Sequence, residues 1–397
     1  MHWWLSMKKV KLKDIANIYN GNSINARAKA EKYCFNVPAW NYIGTKDIDF
    51  DGTVNYDTGV KIPFEEKGFK IAPANCVFVC SEGGSAGKKT AHITQEVCFG
   101  NKLYAIVNNK NLFVSKYVYY YTRYREFFEQ FKALMSGIIG GVSSKKFGEI
   151  EIPLLSLQKQ QRIVEKIEEL FSKLDKGVEE LNKIKEQLKI YRQAVLKEAF
   201  KSDMEYKPLG NISFSRLGKM LDKNKNRGEY RPYLRNINVR WMNFDLCELL
   251  YMKIEESELE KYTATKGDLL MCEGGEPGRC AVWNMDYDIC YQKAIHRIRF
   301  NKNTNPKFYM YYFYYMAQTG ELSKYFTGMG IKHLTGESLK KVPVPILDID
   351  DQQSILKCIE QRLSVCEKIE QTVNESLQKA ESLRQSILKQ AFEGKLV

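Results

Sequence analysis

Two glycine-rich segments are the first places where this sequence could do chemistry. Glu82-Gly83-Gly84-Ser85-Ala86-Gly87-Lys88-Lys89 has the rhythm of a loop that cradles phosphate with backbone N–H groups, and Cys272-Glu273-Gly274-Gly275 with Gly278-Arg279 repeats it. A nucleotide-hydrolysing loop needs glycine where Glu82 and Glu273 stand, and a hydroxyl residue where the chain has Lys89 and, in the second copy, Cys280. Both segments therefore read as tight turns that bring backbone and a cation to a polyanion, with plain hairpin turns as the competing reading. Lys88, Lys89 and Arg279 are the candidate cations, joined by Asn101 and Lys102 in the first half of the chain and by Gln292 and Lys293 in the second.

A second pair of segments mixes small hydroxyl residues with cations, a composition suited to phosphate or base-edge contact. These are Gly140-Gly141-Val142-Ser143-Ser144-Lys145-Lys146 and Gly330-Ile331-Lys332-His333-Leu334-Thr335, with ordinary surface loops as the alternative. Metal chemistry finds no such footing. Cys76 and Cys80 lie at i and i+4 of the alternating run Cys76-Val77-Phe78-Val79-Cys80, where both are expected on one buried strand face. His2, His92, His296 and His333 form no ligand spacing, and the ten cysteines are thinly spread and expected to be reduced.

The elements that position these segments emerge from a self-match. Ile152-Pro153-Leu154-Leu155-Ser156-Leu157 returns as Val344-Pro345-Ile346-Leu347-Asp348-Ile349, Gln160-Gln161 as Gln352-Gln353, and Arg192-Gln193-Ala194-Val195-Leu196-Lys197 as Arg384-Gln385-Ser386-Ile387-Leu388-Lys389. The displacement is 192 residues throughout, without a gap, so the chain is a tandem repeat. Nearer the start the match is looser: Leu12 with Ile15 resembles Leu209 with Ile212, off the 192-residue register. The aromatic runs Tyr117–Tyr121 and Phe308–Tyr315 could stack on unpaired bases, but are read first as amphipathic helices packing on a sheet.

Segments 158–200 and 350–392 carry heptad stripes. In the first, Ile167, Leu174, Leu181, Leu188 and Val195 recur every seven residues, with Ile163, Leu170, Ile184 and Tyr191 as the second seam position and Gly177 interrupting it. In the second, Ile355, Ile359, Cys366, Ile369, Val373, Ala380, Leu383 and Ile387 form the stripe, weakened by Arg362 and Ser376. Each helix, about 64 Å long at 1.5 Å per residue, must bury its stripe, and its sibling in the same chain is the nearest partner. An antiparallel pair is expected, because a globular part has to fit between the end of one helix and the start of the next.

The chain has 397 residues, 61 Lys+Arg against 48 Asp+Glu and 44% hydrophobic residues, which suits more than one packed domain and excludes wholesale disorder. Residues 158–200 hold 10 basic and 8 acidic side chains and residues 350–392 hold 6 and 7, so about +12 of the formal +13 lies outside the helices. The globular parts are thus the polyanion-binding candidates. The apolar run Phe308–Ala317 is far shorter than the roughly 18 residues of a membrane span. Lysines that follow Trp3-Trp4-Leu5 reverse the order of a secretory signal, giving a cytoplasmic expectation.

On these repeats the sequence resembles the specificity subunits of type I restriction-modification enzymes along nearly its whole length. The resemblance rests on the order of two variable parts and two repeated helices, the Ile-Pro-Leu and Val-Pro-Val-Pro-Ile lead-ins, Gln160-Gln161 and Gln352-Gln353, and the Arg-Gln-Ala/Ser-Val/Ile-Leu-Lys endings. Many members carry Glu-Gln at the helix start; here the preceding residues are Lys159 and Asp351. It implies an α+β chain with target recognition domains at 1–157 and 201–349. Conserved spacer helices at 158–200 and, with the C-terminal tail, 350–397 would form an antiparallel coiled coil with pseudo-twofold symmetry. It further implies that each domain binds half of a split double-stranded DNA target, and that the helices dock two modification (methyltransferase) subunits, with restriction (motor-nuclease) subunits joining them. S-adenosylmethionine, ATP and Mg2+ would belong to those partners, and this chain would bind no cofactor. Consistently, the sequence has no Asn-Pro-Pro-Tyr/Phe methyltransferase motif, no complete phosphate loop and no metal constellation, so the chain alone is expected to be non-catalytic. The alternative is a coiled-coil adaptor whose basic domains bind RNA or protein without sequence readout.

Overall fold

The computed structural model describes residues 8–34, 38–137, 140–200, 204–222 and 224–397. They form two compact units, one from Met1–Leu181 with Glu375–Val397 and one from Asn182–Asn374. His2 lies outside the described residues.

Each unit is built around two four-stranded sheets of matching topology. In the first unit one sheet has the order Asn17–Asn20, Leu103–Val107, Cys76–Cys80, Thr90–Ile93, and the other Lys61–Pro63, Ala39–Ile43, Val97–Phe99, Ile71–Ala72. In the second unit the corresponding orders are Ser213–Leu217, Ile295–Phe300, Leu269–Cys272, Cys280–Val282 and Leu250–Ile254, Glu229–Leu234, Ile289–Tyr291, Thr263–Ala264. A parallel pairing of strands recurs too, Tyr42 opposite Cys98 and Tyr233 opposite Cys290. The globular parts have diverged in sequence and kept one fold.

Period-2 alternation explains how a strand serves two cores. Val77 and Val79 pack toward Tyr117 and Tyr121, whereas Cys76, Phe78 and Cys80 pack toward Phe99 and Ala105. Leu269 and Met271 face one core and Leu270 and Cys272 another in the second unit. A strand covered on both faces reads as an unbroken apolar run. Cys76 and Cys80 are packing residues as expected, and burial pushes the Cys76 thiol up to about 12.

The aromatic runs are core helices, Ser115–Thr122 and Pro306–Gln318. Several of their tyrosines are buried with the hydroxyls spent on backbone: Tyr117 donates to the Pro153 carbonyl and Tyr309 to that of Pro345, both at 2.9 Å. The prolines that lead into the long helices therefore sit on strands pinned by aromatic residues.

The long helices run Leu157–Ala199 and Ile349–Phe392. The leading glutamine of each repeated Gln-Gln pair is a buried clamp. Gln160 accepts from Val114 N–H (2.8 Å) and donates to the carbonyls of Leu155 (2.8 Å) and Leu112 (3.2 Å). Gln352 accepts from Asn305 N–H (2.8 Å) and donates to Leu347 (2.9 Å). Within each unit the helices pair antiparallel. In the second unit Arg192 meets Glu370 at 2.7 Å and Glu198 meets Arg362 at 2.6 Å, so partner numbers fall as residue numbers rise. In the first unit Arg384 pairs with Asp175, and Ile163 and Ile167 share a core with Ile387 and Ala391.

The seam needs correction at its second position. Ile163, Ile167, Leu188 and Val195 are buried, Leu170, Leu174 and Leu181 half-buried, and Ile359, Cys366, Val373, Ala380 and Ile387 keep a strict heptad of buried sites with Ile355 half-buried beside them. Ile369, however, is 40% exposed, and Tyr191 and Leu383 are exposed too. The second position lies one residue later, at Leu356, Leu363, Glu370, Leu377 and Arg384 in the second helix and at Arg192 in the first. Charged residues interrupt the apolar spacing there, at Glu370, Arg384 and Arg192, which make ion pairs. Arg362 is no defect in the seam; it lies off it and binds Glu198 and the Tyr191 hydroxyl.

Candidate nucleic-acid interface

In the first unit three loops meet along one rim. The glycine-rich turn between strands Cys76–Cys80 and Thr90–Ile93 is tied to the Gly100–Lys102 turn by Ser81 N–H donating to the Lys102 carbonyl (2.9 Å). It is also tied to the Gly140–Val142 loop, by Val142 N–H donating to the Ser81 carbonyl (3.1 Å) and by pairing of Glu82 with Gly141. The second unit repeats each tie 192 residues on: Glu273 N–H donates to Ala294 (2.9 Å), Leu334 N–H donates to Glu273 (2.8 Å), and Gly274 pairs with His333. Segments singled out separately in the sequence are thus brought together, twice, in one register.

The turn itself needs glycine. Gly87 and Gly278 have φ of 69° and 90°, and a Cβ would strike the Phe131 ring at the first and Leu322 at the second. Beneath the turn lies a loop that the sequence reading missed. Lys89 Nζ donates to the Thr45 carbonyl (3.2 Å), and Arg279 donates to the Asn236 carbonyl (2.9 Å). The signal was available in the chain, since Thr45 and Asn236 both follow the parallel strand of their sheet by two residues.

These bonds sort the candidates. Lys89 and Arg279 brace the turns; Lys89 also lies over the Phe50 ring, and Arg279 pairs with Glu276 at 2.6 Å. Ser143 and Thr335 cap the short helices Ser144–Phe147 and Gly336–Lys341, accepting from the N–H groups of Lys146 and Ser338. Lys88, Asn101, Ser144, Lys145 and Lys146 are exposed, as is Lys102, which pairs loosely with Glu82 at 3.1 Å. In the second unit Lys293, Lys332 and His333 are exposed, and Gln292 is half-buried in a cleft with Met220, Leu221, Glu273, Lys293 and Ala294. Burial pushes the Cys272 thiol, next to Arg279, up to about 11, which leaves no ready thiolate at the turn. Among the described residues no group of three or more His, Cys, Asp or Glu is placed to hold a metal ion, and no helix is long and apolar enough to cross a membrane.

Each half thus gathers exposed cations, amides and hydroxyls on a braced loop rim, a composition suited to polyanion contact. Comparison with known proteins agrees. The family model of the type I restriction modification DNA specificity domain matches residues 5–189 and again 201–379. The chain belongs to this family. The EcoKI specificity subunit of Escherichia coli (strain K12) is 26% identical over 353 residues, 82% of this chain and 76% of that protein. The StySPI specificity subunit of Salmonella potsdam is 27% identical over 354 residues, with the same coverage. In fold, the chain is similar to one from a structural study of complex assembly and conformational transition of the type I R-M system, with a TM-score of 0.79, 17% identity and 98% of both chains covered. It is also similar to the HsdS subunit from Thermoanaerobacter tengcongensis, with a TM-score of 0.62, 17% identity and 98% and 97% coverage.

Proposed function

We propose that this chain is the DNA-specificity subunit of a type I restriction-modification enzyme and that each rim reads one half of a split, asymmetric duplex target. The observation that carries this reading is the 192-residue register of the two rims: the same backbone ties hold different side chains, as a scaffold reading two different half-sequences requires. Exposed lysines supply salt-dependent phosphate affinity, and the amides, hydroxyls and Gln292 on the same rims supply base-edge donors and acceptors.

The helices carry two modification subunits, and restriction subunits join that complex in the cytoplasm. S-adenosylmethionine, ATP and Mg2+ act on those partners, and this chain contributes no catalytic group. Co-expression with the modification subunits followed by methylome sequencing tests the reading. It predicts adenine methylation in one motif of two specified halves around an unspecified spacer; methylation at a continuous motif, or none, contradicts it. Equal binding of unrelated duplexes at moderate salt would instead support an adaptor without readout.

A further inference from the structure

On the rim of the second unit, Met329 is 103% exposed and Ile331 is 74% exposed. Two neighbouring apolar side chains at the tip of one loop on this rim are placed as minor-groove and base-step wedges are in DNA-bending proteins. The loop carrying them is firmly staged. Thr327 N–H donates to the His333 carbonyl (2.8 Å) and His333 N–H to that of Thr327 (2.9 Å), closing the loop at its base. Lys332 Nζ donates across the tip to the Gly328 carbonyl (2.9 Å). Gly328 has φ of 97°, and a Cβ there would strike the Ile331 carbonyl, so the tip conformation requires glycine. Pairing of His333 with Gly274 locks the base to the glycine-rich turn.

We propose that Met329 and Ile331 form an apolar wedge that enters the base stack of the duplex bound by the second unit. This rests on the reading of that rim as DNA-binding. The occupant follows from what surrounds the tip. Lys332 beside it and Lys293 on the same rim are exposed cations that suit phosphates, while the tip itself is apolar and suits an apolar interior. A duplex offers both, phosphate on its outside and stacked base faces within, and partial insertion unstacks one step. In the first half of the chain the sequence sets Ile138-Ile139 between Gly137 and Gly140 at the matching place; those two residues lie outside the described ones. The wedge makes the deformability of one base step part of the specificity of this half-site, beyond hydrogen-bond readout.

The test uses the complex with modification subunits and its methylome-defined target, with 2-aminopurine walked through each half-site. A fluorescence rise is expected at one step of the half-site bound by the second unit, away from the methylated adenine, which methyltransferases themselves extrude. Met329→Ser/Ile331→Ser should abolish that rise and weaken target binding at least about tenfold. Thermal midpoint and non-target binding should be unchanged. Full retention of affinity and fluorescence by the variant overturns the wedge, as does a wild-type complex that binds its target with no rise at any step. Loss of binding to anionic lipid vesicles, with DNA binding intact, would assign the tip to a membrane surface instead. If the wild-type complex discriminates no duplex sequence, the DNA reading itself fails and takes the wedge with it.

Discussion

In the first unit the Tyr104 hydroxyl donates to the Val142 carbonyl at 2.8 Å; 192 residues on, His296 Nε2 bonds the Leu334 carbonyl at the same distance. One bond, made by two chemistries, summarises how the halves differ. The backbone of the rim is retained while side chains on and under it change. The first rim presents exposed lysines at 88, 102, 145 and 146. The second presents Lys293 and Lys332, a glycine turn whose Arg279 is engaged by Glu276, and an apolar tip. Residues 1–157 hold 21 basic and 14 acidic side chains, and residues 201–349 hold 23 and 18, so the two parts are similarly basic overall. The contrast therefore lies in placement on the rim. Among the described residues, the first rim carries more exposed lysines, and the second carries fewer with an apolar tip beside them.

The sharpest break of this comparison is electrostatic. Lys88→Ser, Lys102→Ser, Lys145→Ser and Lys146→Ser together should lower the slope of log affinity against log salt by roughly 0.9 for each phosphate no longer neutralised. The expected drop in affinity is about a hundredfold or more at physiological salt, with both specified halves of the motif unchanged. Lys293→Ser with Lys332→Ser should change the slope by about half as much. Fluorescence anisotropy across a salt series measures both, and equal changes would remove the asymmetry.

Next come the helix clamps. Gln160→Ala and Gln352→Ala each leave buried backbone groups without partners, at a cost of about 2–4 kcal/mol. Gln160 should cost more, since it makes three such bonds against two. Chemical denaturation followed by hydrogen exchange at Val114 and Asn305 separates the two effects. Smaller again are the seam ion pairs. Arg192→Met and Arg384→Met each remove a partly exposed bridge worth up to about 1 kcal/mol.

The subtlest prediction turns on His296. Burial holds its imidazole below the ordinary 6.5, against smaller opposing effects of the Leu334 hydrogen bond and Glu273. Below pH 6.5 the unfolded chain takes up a proton that the folded one resists. Its contribution is thus complete above 6.5 and declines as pH falls through that value. Burial raises the pKa of Tyr104, so the first unit has no matching acid sensitivity there. Hydrogen exchange at Leu334, corrected for intrinsic rates, should accelerate on acidification while Val142 does not; His296→Gln should flatten the difference.

Much of this was legible in the chain. The 192-residue register, both long helices and the aromatic core helices follow from periodicity, because burial of one stripe leaves a repeating mark. The rim segments were legible as composition. Their convergence was not, because it depends on backbone ties between residues 60 or so apart, such as Gly274 with His333. Nor was the division between braces and exposed cations: Lys88 and Lys89 are adjacent and alike in sequence, yet only Lys89 reaches Thr45. The seam failed where Glu370 and Arg192 fill sites that an apolar pattern assigns to neighbours such as Ile369.

The central claim is that each rim reads its own half of the target. Its most direct test is a methylome of cells co-expressing the modification subunits with a chain altered at Gln292 and Lys293 alone. The account predicts a motif relaxed or changed in one half, with the other half and the spacer intact. Alteration of both halves together, or of neither, would contradict it.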